Sequence, residues 1–284
     1  MSDIAEERTA EGQGRILVAD EGSVRFVTLA HPGKLNALGA AMWRGLAGAI
    51  QEAAGQPGLR CVVIRGEGKD FAAGADIAEF PALRGTREAV RHYHESTIAP
   101  ALRAIAECPL PTVAMIRGIC VGGGLEIACS CDLRVAARSA RLGAPIGRLG
   151  FPMAPAELSG LLAVAGRATT LELLLEGRLL DAAEAYAKGL LTRVVDEGEL
   201  EQEVSRTVAR IAAGAPLAAT LNKSMVRRLA AAQPLTEEEL AAFFDYSDTP
   251  DHHKGVAAFL EGRQPAFGRP GRRDETTSTT EDEQ

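Results

Sequence analysis

The chain has 284 residues, 46% of them hydrophobic and only 4% aromatic, enough to bury one large core or a core with a small appendage. A formal charge of −7 offers no broad attraction to phosphate backbones or anionic lipid, which argues against nucleic acid and membrane as partners. Five cysteines, Cys61, Cys108, Cys120, Cys129 and Cys131, form an odd set without disulfide spacing, and Cys129-x-Cys131 lacks the partner pair a metal site needs. Packed thiols in a reducing cytoplasm, with no metal, are the expectation.

Residues 1–14 are polar and acidic, with neither a basic amphipathic pattern nor an apolar signal core, and no later run approaches membrane-spanning length. A disordered leading segment is expected there. Two β-rich runs, Arg15 to Asp20 and Val24 to Ala30, flank Glu21-Gly22-Ser23 and predict a hairpin. From Leu38, apolar residues at Met42, Leu46, Ile50 and Ala53 keep helical spacing, with Asn36 placed to cap the start. Strands are expected at Leu59 to Arg65, Thr112 to Arg117 and Leu133 to Ala136, with a short helix from Gly124 to Ser130. Alternating strands and helices point to an α/β fold.

After about Ala156 the β signal fades. Helices are predicted over Thr169 to Glu176, Asp181 to Lys188, Leu200 to Ala213, Pro216 to Leu229, Thr236 to Phe244 and Asp251 to Glu261. The expected division is a core over 15–205, a helical carboxyl-terminal oligomerisation region over 206–267, and a disordered polar tail over 268–284.

Two glycine-bearing stretches carry the functional signal: Phe71-Ala72-Ala73-Gly74-Ala75-Asp76 and Val121-Gly122-Gly123-Gly124-Leu125-Glu126. The second follows a strand and opens a helix, so it aims free N–H groups and a positive dipole end into one space. Neither phosphate-loop pattern is present, which removes nucleotide cradling. A tight turn needs such glycines anyway, and Glu126 in the first helical turn also stabilises a helix start. The functional reading therefore requires a second, independent match.

That match lies in the order of motifs. Phe71-x-x-Gly74-Ala75-Asp76, Pro109-x-Pro111-Thr112-Val113, Gly122-Gly123-Gly124-x-Glu126 and Cys131-Asp132-Leu133-Arg134 follow one another, with His31 to Leu38, Gly166-Arg167-Ala168 and Gly255 to Leu260 around them. This order resembles the crotonase, or enoyl-CoA hydratase/isomerase, superfamily over about residues 15–267. The resemblance implies a spiral of ββα units making two roughly perpendicular sheets, a helical carboxyl-terminal region, and a homotrimer or a hexamer made of two trimers. It implies a coenzyme A thioester as substrate and no other cofactor. The N–H groups of Ala75 and Gly123 would form the oxyanion hole, with Glu126 as acid/base. Lys34, Leu35, Ala37, Ala72, Ala73, Gly74, Asp76, Ile77, Gly122 and Ile146 would surround the substrate, with Lys34 either meeting a phosphate or simply solvated.

One departure is informative. The family's second glutamate is expected in a Phe-Gly-x-Pro-Glu context that here reads Leu142-Gly143-Ala144-Pro145-Ile146, and Ile146 can neither hold a water nor move a proton. Glu157 arises where the family has small residues. It is expected as a surface acid at a helix start, and the alternative is a carboxylate supplied to the pocket. His92 and His94 lie where the family covers the acyl pocket with a helix; being two residues apart, at most one points inward. Either is the alternative catalytic group. Ile77, Phe80, Leu83, Phe151 and Met153 are expected to line an apolar acyl pocket.

The reading that follows is an enzyme acting on a 2- or 3-enoyl-CoA through an enolate, with hydration in doubt because of Ile146. Double-bond isomerisation or decarboxylation of an acyl-CoA, or acyl-CoA binding without turnover, are the alternatives. A nucleic-acid-binding relative would need a lysine-rich helix, which the chain lacks.

Overall fold

The computed structural model describes residues 13–230 and 234–267. The leading segment and the tail expected to be disordered lie almost wholly outside these residues. Among the described residues there are nine strands: β1 (Arg15–Glu21), β2 (Val24–Ala30), β3 (Cys61–Gly66), β4 (Thr112–Ile116), β5 (Ile119–Val121), β6 (Leu133–Ala137), β7 (Arg141–Gly143), β8 (Leu180–Asp181) and β9 (Arg193–Val195). They form a six-stranded sheet in the order β1-β2-β3-β4-β6-β9 and a three-stranded sheet in the order β5-β7-β8. In the large sheet only the β1/β2 hairpin is antiparallel. Gly22, with φ 61°, makes its turn.

The helices are α1 (Ala40–Gly55), α2 (Phe80–Leu83), α3 (Arg87–His92), α4 (Ala99–Glu107), α5 (Gly123–Ser130), α6 (Pro155–Glu176), α7 (Ala182–Ala187), α8 (Leu200–Ala212), α9 (Pro216–Ala230), α10 (Glu237–Phe244) and α11 (Pro250–Leu260). A π-helical turn, Tyr93–Ile98, joins α3 to α4.

One unit recurs along the chain: a strand of the large sheet, a short strand or bridge beside it, then a helix. β2 leads through Leu38, bridged to Ala75, into α1; β3 leads through Ala72, bridged to Cys120, into the helices that start at Ile77. β4 passes through β5 into α5, and β6 through β7 into α6. The turn from β4 to β5 needs Gly118, whose φ is 52° and where a Cβ would lie 2.3 Å from the Asp70 carboxylate. This is the α/β spiral expected from the sequence.

The central strands of the large sheet, β3, β4 and β6, are buried on both faces, which explains why they read as continuous apolar runs. Val62 and Ile64 of β3 join the main core with Trp43, Leu46 and Ile50 of α1, while Cys61 and Val63, pointing the other way by the period of two, pack with Leu200, Val204 and Val208 of α8. Helix α8 thus runs through the division expected at 205/206 and belongs with the core.

The structure corrects four local expectations. Leu38 is not helical: its N–H donates to Gly74 O at 2.7 Å and its O accepts from Asp76 N–H at 2.9 Å. Asn36 caps no helix; at φ 58° it accepts from His31 N–H and donates to Glu67 O and Asp70 O, holding two loops together. Strands β8 and β9 add β structure after Ala156, but at two and three residues they are too short to show a period. Finally, α6 has the length and composition to cross a membrane, which no run was expected to have. Gly166, at φ 67° and ψ 172°, breaks it into two helices, and Glu157 in its first turn is part of the pocket described below.

Candidate active site

The two glycine stretches meet face to face. Val121 N–H donates to Ala72 O at 3.0 Å, and Gly122 N–H to Gly143 O at 2.9 Å, which fixes both segments. Gly74 has φ 98°, and a Cβ there would sit 3.1 Å from Val121 O and 3.4 Å from Gly123 N. Gly122, at φ 53°, serves as N-cap of α5. Only residues without side chains keep this space open.

Two N–H groups remain unused beside it. Ala75 N–H enters none of the hydrogen bonds among the described residues. Gly123 is the first residue of α5, so its N–H is one of those a helix start leaves without an intrahelical acceptor. Behind it stands Trp43, whose ring would lie 2.8 Å from a Cβ at position 123.

These groups open onto a cavity of about 130 Å³, lined mainly by apolar side chains with a few polar groups among them. Glu126 lines it from the first turn of α5 with 6% of its surface exposed. Burial pushes its carboxyl well above the ordinary value, and the negative charge of Glu157 pushes it further. A carboxyl so placed holds its proton as an acid would.

Glu157 corrects the sequence reading. It is no surface acid: with 4% of its surface exposed, it lines the same cavity from the first turn of α6. Its Oε1 lies 2.5 Å from His94 Nδ1, and its Oε2 accepts weakly from Ala154 N–H at 3.4 Å. On the far side of the imidazole, Arg84 Nη2 lies 3.0 Å from Nε2. A guanidinium can only donate, so Nε2 accepts and the ring proton is assigned to Nδ1, facing Glu157. His94 sits in the π-helical turn, an irregularity frequent at functional sites. His92 is exposed and lines nothing.

Ile146 faces the cavity from the turn Pro145–Leu149, so an apolar side chain stands where the resemblance expected a carboxylate. Ile77, Phe80 and Phe151 also line it. Leu83 and Met153 do not; both pack into the core.

The loop expected to hold the coenzyme is brought against the glycine stretch, since Ala73 N–H donates to Leu35 O at 2.9 Å. Leu35 at φ 49° and Asn36 at φ 58° are consecutive left-handed residues without glycine, a conformation that costs energy and persists only where neighbours enforce it. Lys34 Nζ pairs with Asp76 Oδ2 at 2.7 Å. Burial raises the Asp76 carboxyl, but the Lys34 bond and the Ala78 N–H outweigh it and leave the net shift downward.

Among the lining residues that escaped the sequence reading are Trp43, Arg84 and Tyr93. Trp43 is the chain's sole tryptophan, on the inner face of α1, and Arg84 follows Phe80 by four residues. Those were the available signals. All five cysteines are buried and unpaired, as packed thiols.

Comparison with known proteins completes the description. Residues 19–270 match the family model for enoyl-CoA hydratase/isomerase. A Magnetospirillum magneticum structure described as an enoyl-CoA hydratase/carnithine racemase superposes with a TM-score of 0.87 at 44% identity, covering 89% of this chain and 95% of that one. The Mycobacterium tuberculosis protein named "Probable enoyl-CoA hydratase echA8" is 34% identical over 263 residues, 89% of this chain and 97% of its own. Human enoyl-CoA hydratase domain-containing protein 3, mitochondrial, is 31% identical over 252 residues, 86% of this chain and 80% of its own.

Proposed function

The chain belongs to the enoyl-CoA hydratase/isomerase family of enzymes, and from that premise we propose that it hydrates a 2-enoyl-CoA with Glu126 and Glu157 as its acid/base pair. The observation that carries this reading is the burial of both carboxylates in one cavity, where the charge of one raises the affinity of the other for a proton.

Water adds to C3 of the enoyl group while Glu157 takes its proton. Negative charge then gathers on the thioester oxygen, where the N–H groups of Ala75 and Gly123 stabilise it without reorganising. Collapse of the enolate draws the proton of Glu126 to C2, so one water has added across the double bond. A proton passing from Glu157 to Glu126 restores the starting state. In this scheme Glu157 replaces the glutamate absent at Ile146, and His94, oriented by Arg84, holds it in place. The coenzyme arm would follow the loop of Lys34, Leu35 and Ala37 past Ala72 and Ala73.

Double-bond isomerisation is the second reading. It is favoured by Ile146, because Glu126 alone could remove and return a proton. A turnover screen of 2-enoyl-, 3-enoyl- and malonyl-type CoA thioesters separates the two. Loss of the α,β-unsaturated thioester absorbance of a 2-enoyl-CoA, with gain of one water, is the expected result; conversion of a 3-enoyl-CoA without water addition would replace hydration with isomerisation.

Self-association fits the same proposal. The carboxyl-terminal helices expose Val226, Phe244, Phe259 and Leu260, the last two by 84% and 78%, and a trimer or hexamer would cover them. Five buried free thiols suit a reducing compartment.

A further inference from the structure

Arg84 is a cation in the cavity without an anion. Its guanidinium carbon lies 4.3 Å from the ring centroids of both Phe80 and Phe151, and the residue is half-buried. One donor reaches His94 Nε2, and no ion pair joins Arg84 to any described residue. The acids around Tyr93 and Arg84 are engaged elsewhere: Glu157 by His94 and Ala154 N–H, Glu79 by Ala40 N–H. Most of the guanidinium's five N–H donors are therefore left for a ligand.

A second, independent observation marks the same wall. Tyr93 and Trp43 line the cavity, buried at 3% and 0% exposure; the Trp43 indole N–H approaches the Tyr93 hydroxyl without a well-formed hydrogen bond, and the hydroxyl proton has no acceptor. The Arg84 guanidinium lies 5.9 Å from the Tyr93 ring. A purely apolar acyl chain would leave all of these donors desolvated and unpaired, which is unfavourable. A carboxylate, which only accepts and takes a planar guanidinium fork, answers them.

We propose that the acyl pocket takes a thioester whose short acyl chain ends in a second carboxylate, bound by Arg84 with the Tyr93 hydroxyl as an additional donor. This rests on the acyl-CoA reading above and replaces the purely apolar acyl pocket expected from Ile77, Phe80, Leu83, Phe151 and Met153.

The test is calorimetric and needs no turnover: binding of glutaryl-CoA is compared with that of pentanoyl-CoA, a saturated thioester of equal chain length. Wild-type protein is expected to bind glutaryl-CoA at least about tenfold more tightly, the scale of one hydrogen bond to a charged group. In Arg84→Met that ratio should fall to about one, and Arg84→Lys should retain part of it. Equal or tighter binding of pentanoyl-CoA by the wild type overturns the proposal, and needs no variant to fold. So does an unchanged ratio in Arg84→Met, the outcome if Arg84 serves only His94 or a coenzyme phosphate. Binding of neither thioester would instead remove the acyl-CoA reading itself.

Discussion

The wall of the cavity that carries Ala75 and Gly123 is made of backbone, whereas the facing wall is made of the side chains of Glu157, His94 and Arg84, drawn from three separate segments. The backbone wall is held by bridges between loops, and its glycines are required by left-handed φ and by contacts a Cβ could not make. The side-chain wall is held by hydrogen bonds that several sequences could supply. Position 146 of this wall is apolar, and the cavity's two acids are Glu126 and Glu157. On the proposed reading the oxyanion geometry is the fixed part of the site, and the proton-transfer groups are the adjustable part.

The largest expected effect comes from Glu126, buried in the same cavity as Glu157. Glu126→Gln should lower kcat for hydration by about 10²–10⁴-fold, measured as the initial rate on a saturating 2-enoyl-CoA. Next is the backbone wall: Gly74→Ala forces a Cβ to within 3.4 Å of Gly123 N at φ 98°. Removing one oxyanion donor costs about 10²–10³-fold in kcat, and the strained residue should cost about 1–3 kcal/mol in a urea titration. Full activity in this variant would break the contrast between the walls.

A smaller effect should sharpen it. Ile146→Glu, introduced into Glu157→Gln, should recover roughly tenfold of the lost hydration rate, because either position can present a carboxylate to the cavity. His94→Asn keeps an amide donor toward Glu157 and should lose only about threefold in kcat, against about tenfold or more for His94→Ala, which removes a bond to a charged group.

The smallest effect is on stability against pH. The folded-state pKa of Glu126 lies well above its ordinary 4.5, so the folded protein binds the extra proton between the two values. Its contribution is fully present below about 4.5 and is lost as pH rises through the raised value. The unfolding free energy of Glu126→Gln minus that of wild type should therefore grow in the variant's favour as pH rises from 4.5. A difference independent of pH would show that Glu126 is not held protonated.

The backbone wall was legible in the sequence because glycine is nearly the only residue that meets its conformational demands. Gly74, Gly122 and the helix-opening Gly123 therefore announced both the turn and the free N–H groups. The central strands of the large sheet were legible because burial on both faces makes them continuous apolar runs, and α1 because burial on one face imposes a helical period. Glu157 was not legible: an acid in a first helical turn looks the same whether it faces water or a cavity, and the break at Gly166 that divides its helix follows from the three-dimensional path. Asn36 misled because a residue suited to capping is equally suited to left-handed φ and to bonding loop carbonyls. Arg84 needed the structure, since its role depends on Phe80, Phe151 and His94 converging from distant segments.

The central claim is that Glu157 supplies the second proton-transfer group, and kcat/KM for hydration of a short 2-enoyl-CoA by wild type and Glu157→Gln tests it most directly. With the variant's fold confirmed by circular dichroism, a loss of about 10²–10⁴-fold is expected. Hydration by Glu157→Gln within about threefold of wild type, well inside the range general acid/base catalysis commands, would contradict it.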